Sequence, residues 1–442
     1  MDGIQIRRIY SVSNDPKPHT SKRAPPMYNA LPDHRHIRLL SYKYLPDENE
    51  IKIQCNLITK SLDEITSSDL KYWALSYVWG DPDDTVAIAC DGKDFSITRN
   101  LHALLINLFK TNEMEKPRSG YIWADAICIN QGDDEEKTLQ VRLMQDIFSH
   151  ADHVVAWLGE ESESIESGFT FLRPFFATRR KYKLVDFETQ EEYLDDGSVD
   201  VNSAEAVRLG IPGRTDKVWA DVGILLSNPW FSRVWVVQEA LMAETLTFLC
   251  GTTTLPAEML MPFADSKSEV GMFMDRMPLR SLAPWWVNAS YLGILKRKLD
   301  RGDTLRMLDI LVFTQGFEAS DARDKVFAMV GLAADIDNTF IDYSQQDPRP
   351  MLVPLAKHLL GDPDEGGASC PSMKPLGYAG EAKTMTDLPS WVANWTSPDD
   401  YMTPYWTMFD ENNDDHPTST EKKCTDQFAQ VTNDDVNDMM FH

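Results

Sequence analysis

Apolar runs of strand length, each ending in polar or small residues, recur along the chain. Three of them cover Tyr72–Val78, Tyr121–Ala126 and Val154–Leu158. A continuous apolar run of this length predicts a strand buried on both faces, as in parallel sheets. Between the second and third runs, apolar residues at three- and four-residue steps over 133–151 predict a helix. This strand–helix–strand order predicts neighbouring or near-neighbouring parallel strands whose carboxyl ends meet at one edge of a sheet.

Shorter patterns predict a second group of strands near the start of the chain. Alternating apolar and polar residues in His36–Leu40 and Ile51–Leu57 are typical of half-buried strands. Asp91-Gly92 separates Val86–Cys90 from Phe95–Thr98, and an Asp-Gly pair between strand-like runs predicts a tight hairpin.

Capping signals predict where several helices begin. Asn100 precedes a helical pattern of leucines and is the expected N-cap of that helix. Asp133 and Glu136 have the spacing of a capping box. Pro229 occupies a first helical position, and one helix is expected from there to Met242. Thr245–Cys250 is strand-like.

The chain divides by composition into four parts. Residues 1–33 are polar and contain several prolines, so poor order is expected there. Residues 34–255 carry the α/β pattern, with an acidic insertion at 160–213. Residues 256–396 are mainly helical in pattern, with a break at 321–325. Residues 397–442 are rich in Asp, Asn and Thr, which predicts an acidic disordered tail.

Charge and composition narrow the choice of partners and compartment. The chain has 442 residues and a formal net charge of -26, so its surface repels nucleic acid and anionic lipid. The six cysteines form no CxxC pair, which favours a reducing compartment. No signal peptide or membrane-spanning run is recognised. We therefore expect a soluble cytoplasmic protein that binds no nucleic acid and has no membrane span.

The common nucleotide and metal motifs are missing from the sequence. It contains no Walker A loop, no GxGxxG fingerprint, no HExxH motif and no Cys/His zinc spacing. We therefore expect no metal and no bound cofactor. Cys128 follows a predicted strand, but its isoleucine neighbours favour a packed core thiol over a nucleophile.

Two carboxylates are the main candidates for chemistry. Asp125 interrupts an apolar strand, and burying an unpaired carboxylate costs several kcal/mol, so Asp125 needs partners or an opening. Glu239 lies one helical turn after Trp235, and burial beside an aromatic ring can tune its basicity. Each residue also has a structural interpretation. Asp125 could bind a loop or a helix N-terminus, and Glu239 could form a salt bridge with Arg233 or another cation.

Five ordered blocks of sequence resemble the heterokaryon-incompatibility (HET) domain, which occurs mostly in filamentous fungi. The blocks, found between His36 and Trp395, are Ala74–Gly80, Asp125–Gln131, Pro229–Glu239, Ala322–Leu332 and Leu388–Trp395. Ala322 departs from the family pattern, in which Pro usually precedes Arg-Asp-Lys. The resemblance implies a role in non-self recognition and programmed cell death. Relatives are often longer, so any role of their further C-terminal region is not implied.

HET domains are in turn distantly similar to Toll/interleukin-1 receptor (TIR) domains. The similarity implies a mostly parallel sheet flanked by helices, with the acidic insertion and a helical C-terminal extension added. It aligns Ser76 with the first TIR strand motif, Asp125 with the end of the second strand, and Trp235 to Glu239 with the Trp-x-x-x-Glu helix. In enzymatic TIR domains this glutamate supports cleavage of the nicotinamide–ribose bond of NAD⁺.

The resemblance implies one candidate site and two functions. Glu239 and Asp125 are the expected catalytic residues, and the expected NAD⁺-binding residues are Trp79, Ser76, Asn130, Gln131, Trp235 and Arg233. NAD⁺ would be a substrate that is cleaved through an oxocarbenium-like state, which a carboxylate stabilises. The alternative is a non-catalytic module that triggers cell death through self-assembly or protein partners, since many TIR domains only assemble.

Overall fold

The sheet at the centre of the molecule has nine strands. The computed structural model describes residues 28–46, 51–68, 70–114, 120–181, 183–185, 198–200, 203–264, 285–361 and 391–396, with positions 277, 375, 378, 385 and 387–389. Helices pack against both faces of this open sheet, which confirms the α/β class. The predicted disordered N-terminal segment and acidic tail lie outside the described residues, except for residues 28–33.

The strands in chain order are β1 His36–Pro46, β2 Ile51–Ser61, β3 Trp73–Tyr77, β4 Thr85–Cys90, β5 Lys93–Thr98, β6 Tyr121–Trp123, β7 His153–Gly159, β8 Lys183–Val185, β9 Ser198–Asp200, β10 Leu246–Cys250 and β11 Thr253–Pro256. The main sheet has the order β11-β10-β7-β3-β6-β1-β2-β4-β5, and β8 pairs separately with β9. Strands β10, β7, β3 and β6 form a parallel centre. Antiparallel pairs flank this centre on both sides.

The helices are α1 Leu62–Ser67, α2 Arg99–Lys110, α3 Asp125–Cys128, α4 Asp134–Arg142, α5 Met144–Ser149, α6 Glu163–Lys181, α7 Ala204–Arg208, α8 Lys217–Leu226, α9 Trp235–Met242, α10 Ala257–Ala264, α11 Trp286–Asp300, α12 Met307–Phe313, α13 Asp324–Val330 and α14 Arg349–Leu360. Short 3₁₀ helices cover Pro229–Ser232 and Asn338–Phe340.

The predicted arrangement of the three apolar strands is confirmed. Strand β3 lies between β7 and β6 and is parallel to both. All five residues of β3 are buried, as its continuous apolar pattern requires. Strand β6 is shorter than predicted, because the chain leaves the sheet after Trp123 and starts the helical turn α3 at Asp125.

Two hydrophobic cores cover the two faces of the sheet. Along β7, Ala156 and Leu158 belong to one core, whereas Val155 and Trp157 belong to the other. This alternation follows from the two-residue period of a strand. Helices α6, α8, α9 and α11 to α14 contribute to the first core, and α2, α3 and α5 contribute to the second. The C-terminal helical region therefore shares a core with the α/β part.

The short-range predictions had mixed outcomes. The Asp91-Gly92 turn is confirmed, with both residues at positive φ between β4 and β5. The N-cap assigned to Asn100 is wrong, because Thr98 caps α2 with its side chain. Asn100 instead donates to the Val78 carbonyl and accepts from Trp157 Nε1 at 2.9 Å.

Two further helix-start predictions also needed correction. The single helix expected from Pro229 to Met242 is interrupted at Arg233, whose backbone is extended and forms a β-bridge with Glu318. Asp133 caps α4 as predicted, but Glu136 does not complete the capping box. Its carboxylate instead accepts from the Asn130 amide at 2.7 Å and from Arg38.

Arg38 and Glu136 form a bidentate ion pair between β1 and α4, at 2.5 and 2.9 Å. Their side chains are only 3% and 12% exposed. Removing one partner of a buried pair leaves a charge without compensation. We expect Glu136→Ala to lower the free energy of unfolding by about 3–5 kcal/mol, measured by urea denaturation.

The matched control is Asp84→Ala. Asp84 pairs with Arg99 on the surface, where the two side chains are 49% and 64% exposed. Solvent-exposed pairs contribute about 0–1 kcal/mol, so this variant should change little. Equal losses in the two variants would contradict the importance assigned to the buried pair.

Candidate functional site

The candidate site lies at the carboxyl end of β3. Successive residues of a strand face opposite sides of the sheet, so Ser76 and Tyr77 reach different partners. Ser76 contacts Glu239 on α9, and the Tyr77 hydroxyl donates to Asp125 Oδ1 at 2.8 Å. The strand end thus holds one predicted carboxylate on each side.

Glu239 is enclosed by hydrogen-bonding residues from distant parts of the chain. The Ser76 hydroxyl donates to Glu239 Oε2, and Trp230 Nε1 donates to the same hydroxyl oxygen at 2.8 Å. Glu239 is 3% exposed, Ser76 1% and Trp230 fully buried. The Ser76 hydroxyl therefore links the Trp230 indole to the Glu239 carboxylate, which is buried from solvent.

Burial dominates the protonation of Glu239. Removal from water raises the pKa of Glu239 to about 7, and the negative charge of Asp125 also acts to raise it. The positive charge of Arg233 and the Ser76 hydrogen bond act in the opposite direction without cancelling the effect of burial. At neutral pH both the protonated and the ionised form of the Glu239 carboxyl group are therefore populated.

Asp125 has a more polar environment than Glu239. Its carboxylate accepts from Tyr77, from Trp79 Nε1 at 2.7 Å and from the Ala126 amide at 2.8 Å. Asp125 is half-buried, and Trp79 is 40% exposed. These donors supply the partners that a carboxylate in an apolar strand requires, and the exposed indole of Trp79 covers this side of the site.

Asp125 and Glu239 interact through their charges and share no hydrogen-bond partner. Asp125 raises the pKa of Glu239, so the two carboxylates lie within electrostatic range. They remain against opposite faces of β3, since Ser76 holds one and Tyr77 the other. The single site that the resemblance implies is therefore not seen in this conformation, because Asp125 and Glu239 lie against opposite faces of β3 at the same end of the strand.

Arg233 contacts the end of β3 through the backbone carbonyl of Tyr77. Its guanidinium donates to the carbonyl of Tyr77, and no ion pair or hydrogen bond joins it to Glu239 in the described structure. The predicted structural alternative, a direct Arg233–Glu239 salt bridge, is therefore wrong. The charge of Arg233 still lowers the pKa of Glu239 from this distance.

Trp235 turns towards a different part of the molecule. Its Nε1 donates to Asp324 Oδ2 at 3.0 Å, and the Tyr343 hydroxyl donates to the other oxygen of Asp324. The aromatic residue nearest the Ser76–Glu239 pair is Trp230, which sequence reasoning missed. Trp230 lies in the same sequence block, but only its position in the 3₁₀ helix directs it to Ser76.

The Arg-Asp-Lys block supports helix α9 from the C-terminal side. Lys325 is 5% exposed and donates to the carbonyls of Gln315 at 2.6 Å and Phe317 at 2.8 Å. The next residue, Glu318, forms backbone hydrogen bonds with Ser232 and Val234 on either side of Arg233. Lys325 therefore fixes the segment that holds Arg233 in place.

The remaining predicted residues have structural partners near Asp125. Asn130 is 8% exposed, and its backbone N–H donates to the Glu136 carboxylate. Gln131 is exposed, and its Nε2 donates to the Asp125 carbonyl at 3.0 Å. Cys128 is fully buried, and burial raises the pKa of its thiol to about 12. This matches the core interpretation of Cys128.

The described residues offer neither a metal-binding cluster nor a membrane-spanning helix. They contain no cluster of three or more His, Cys, Asp or Glu side chains that could hold a metal ion. They also contain no helix that is both long and apolar enough to span a membrane.

The elevated pKa of Glu239 predicts a pH-dependent stability. The folded-state pKa is about 7 against an ordinary value of 4.5. The folded protein therefore binds the proton more tightly, and stability falls as pH rises from 4.5 to 7. This difference corresponds to about 3 kcal/mol. Wild type should lose about that much more stability than Glu239→Gln between roughly pH 5 and 8, measured by urea denaturation.

The comparison between the two proteins is the control, because every other titrating group is common to both. The glutamine side chain introduced by this substitution can still accept a hydrogen bond from Ser76. Parallel stability profiles over this pH range would mean that Glu239 does not titrate near neutrality.

Comparison with known proteins identifies the segment that contains the site. Residues 72–239 match the sequence model of the heterokaryon incompatibility protein (HET) family. The chain is also similar to "Heterokaryon incompatibility protein 6, OR allele" of Neurospora crassa. The two are 27% identical over an alignment of 378 residues, and the match covers 73% of this chain and 53% of that protein. The chain thus spans about half the length of the curated relative that it matches. No solved structure matches the chain.

The matched segment begins at the residue before β3 and ends at Glu239, so it includes both partners of the Ser76–Glu239 hydrogen bond. The five sequence blocks, the α/β sheet and this match agree. Residues 72–239 are therefore identified as a HET domain.

Proposed function

We propose that this protein acts in fungal heterokaryon incompatibility, where recognition of a non-self partner leads to programmed cell death. The HET domain and the Neurospora relative support this role. We further propose that the HET domain acts by hydrolysing the nicotinamide–ribose bond of NAD⁺. The observation that supports this chemistry is the buried Glu239 carboxyl, with a pKa of about 7.

The two carboxylates have environments suited to different roles. Glycoside hydrolysis commonly uses a pair of carboxyl groups whose surroundings separate their pKa values. Ionised Glu239 would stabilise the positive charge that develops on the ribose as nicotinamide leaves. Asp125 and Trp79 would contact the polar and planar parts of the substrate, with Asn130 and Gln131 next to them. Water then adds to the ribose, giving ADP-ribose, nicotinamide and a proton.

Access to Glu239 requires a movement. With 3% of Glu239 exposed, substrate cannot reach its carboxylate in the conformation described here. We propose that self-assembly or binding of a protein partner opens the edge of the sheet next to Trp79. Activity would then depend on protein concentration, because the open state forms only in the assembly.

A non-catalytic function is the second candidate. The closed position of Glu239, bonded to Ser76 beneath Trp230, also suits a carboxyl group that joins α9 to the sheet. The HET domain would then trigger cell death through oligomerisation and partner binding alone. NAD⁺ turnover measured over a protein concentration series separates the two functions. No turnover at any concentration, with toxicity retained in cells, would favour the non-catalytic module.

Glu239→Gln tests the catalytic role directly. The substitution keeps the size of the side chain but removes the charge that stabilises the transition state. Loss of one such group costs on the order of 10²–10³ in rate, so NAD⁺ turnover and cell toxicity should fall together. The matched control is Asp221→Asn, which neutralises a buried carboxylate bonded to Ser167 and Lys217 on the α6–α8 side. Full toxicity of a folded Glu239→Gln protein would reject the catalytic assignment.

The pH dependence of turnover provides a separate test. Because the ionised form of Glu239 is the active one, kcat/KM should rise with pH and level off above about 7. This direction is opposite to that of stability, which falls over the same range. A rate that is constant, or that falls, between pH 6 and 8 would contradict the role given to the carboxylate.

A further inference from the structure

Two buried thiols face each other across strands β2 and β4. Cys55 and Cys90 are paired residues in the parallel register of these strands, and the Asp91 amide donates to the Cys55 carbonyl at 2.9 Å. Both side chains are fully buried in the same core, and both thiols are free. The Cys55 thiol donates to the carbonyl of Ala89, the residue before Cys90, at 3.5 Å.

This arrangement suits a disulfide bond. Neighbouring strands lie about 4.8 Å apart, and disulfides join residues whose Cα atoms are roughly 4.4–6.8 Å apart. Cys55 and Cys90 already meet these conditions on the same face of the sheet. Cys250 is paired with Gly159 and Thr253, so no thiol stands beside it in the strand register.

The two neighbouring thiols also differ chemically. Their interaction lowers the pKa of Cys90 and raises the pKa of Cys55. A thiolate is the species that attacks a disulfide, so Cys90 is the expected nucleophile. By contrast, burial raises the pKa values of Cys128 and Cys250 to about 12.

Access to the pair depends on the β4–β5 hairpin, which ends the sheet. Among the described residues, strand β4 pairs with β2 at two positions, Gln54 with Ala89 and Cys55 with Cys90. An edge hairpin held by so short a ladder opens more readily than the central strands. Opening at these two positions exposes both sulfur atoms at the same time.

We propose that Cys55 and Cys90 form a thiol–disulfide exchange site that reacts with small-molecule disulfides such as oxidised glutathione. The Cys90 thiolate attacks one sulfur of glutathione disulfide, forming a mixed disulfide and releasing one glutathione thiolate. Cys55 loses its proton and attacks the Cys90 sulfur, which releases the second glutathione. The protein dithiol is oxidised to a disulfide, and one glutathione disulfide is reduced to two glutathione molecules.

Oxidation would attach the hairpin covalently to the sheet next to the candidate site. The segment before the hairpin carries Trp79, and Asn100 follows it in α2 and binds the Val78 carbonyl. A covalent link between β2 and β4 restricts the unfolded chain and stabilises the fold. The redox state of the pair would therefore set how freely the Trp79 segment moves.

Treatment of the full-length protein with oxidised glutathione tests the proposal. We expect non-reducing peptide mapping to link Cys55 with Cys90, and dithiothreitol to restore both thiols. The melting temperature should rise by several degrees on oxidation and return on reduction. Retention of all thiols, or a link between other cysteines, would overturn the proposal.

Serine variants identify the order of attack. Cys55→Ser should stop at a glutathione adduct on Cys90, because the second thiol is missing. Cys90→Ser should react far more slowly, because the attacking thiolate is missing. Cys128→Ser, the control, should still form the Cys55–Cys90 link. An equal rate of adduct formation in the Cys55→Ser and Cys90→Ser proteins would contradict the assignment of Cys90. The peptide map of wild type decides the proposal even if a variant does not fold.

Discussion

The hydrogen bond between Ser76 and Glu239 joins strand β3 of the parallel sheet to helix α9. Ser76 lies in the central strand of the parallel sheet, and Glu239 lies on a helix that packs in the core shared with the C-terminal region. An ionised carboxylate in such a place loses its hydration, and a single hydroxyl donor replaces little of it. The pKa of about 7 reflects this imbalance. The contact that joins α9 to the sheet is therefore also a source of instability at neutral pH.

The surrounding residues reduce the desolvation cost of the ionised Glu239 carboxylate but do not remove it. Trp230 orients the Ser76 hydroxyl, and Arg233 contributes a positive charge while its guanidinium binds a backbone carbonyl. Arg233 is held by the Glu318 segment, which Lys325 fixes through two further carbonyls. The Arg-Asp-Lys block lies outside the matched HET segment, but it determines where Arg233 is placed. The electrostatic environment of the site consequently depends on residues well beyond Glu239.

The sequence predicted the strands better than the contacts between side chains. The apolar runs around Leu75 and Val155 could be assigned to parallel strands, because burial on both faces requires a continuous apolar pattern. Spacing within one element did not predict partners in distant elements. Asn100 looked like a cap but binds Val78 and Trp157, and Glu136 looked like part of a capping box but binds Arg38. Such contacts depend on how separate elements pack, which local sequence patterns do not encode.

The candidate site also contains side-chain contacts that the spacing of residues did not predict. The i, i+4 spacing of Trp235 and Glu239 predicted a shared face, yet Trp235 binds Asp324 and Glu239 binds Ser76. The break at Arg233 places Trp230 in a separate 3₁₀ helix, from which its indole reaches Ser76. No periodicity within the block reveals this division, because it is imposed by the bridge to Glu318, about 80 residues later.

The position of Arg233 bears on why Glu239 is a carboxylate at all. A structural carboxyl group in a core is usually neutralised by a direct ion pair, as Glu136 is by Arg38. Here the nearby guanidinium binds Tyr77 instead, and the carboxyl keeps a pKa at which both protonation states are populated. An amide would satisfy Ser76 equally well without the desolvation cost. The catalytic proposal accounts for a carboxyl group at a position that an amide could fill, since perturbed groups of this kind cluster at functional sites.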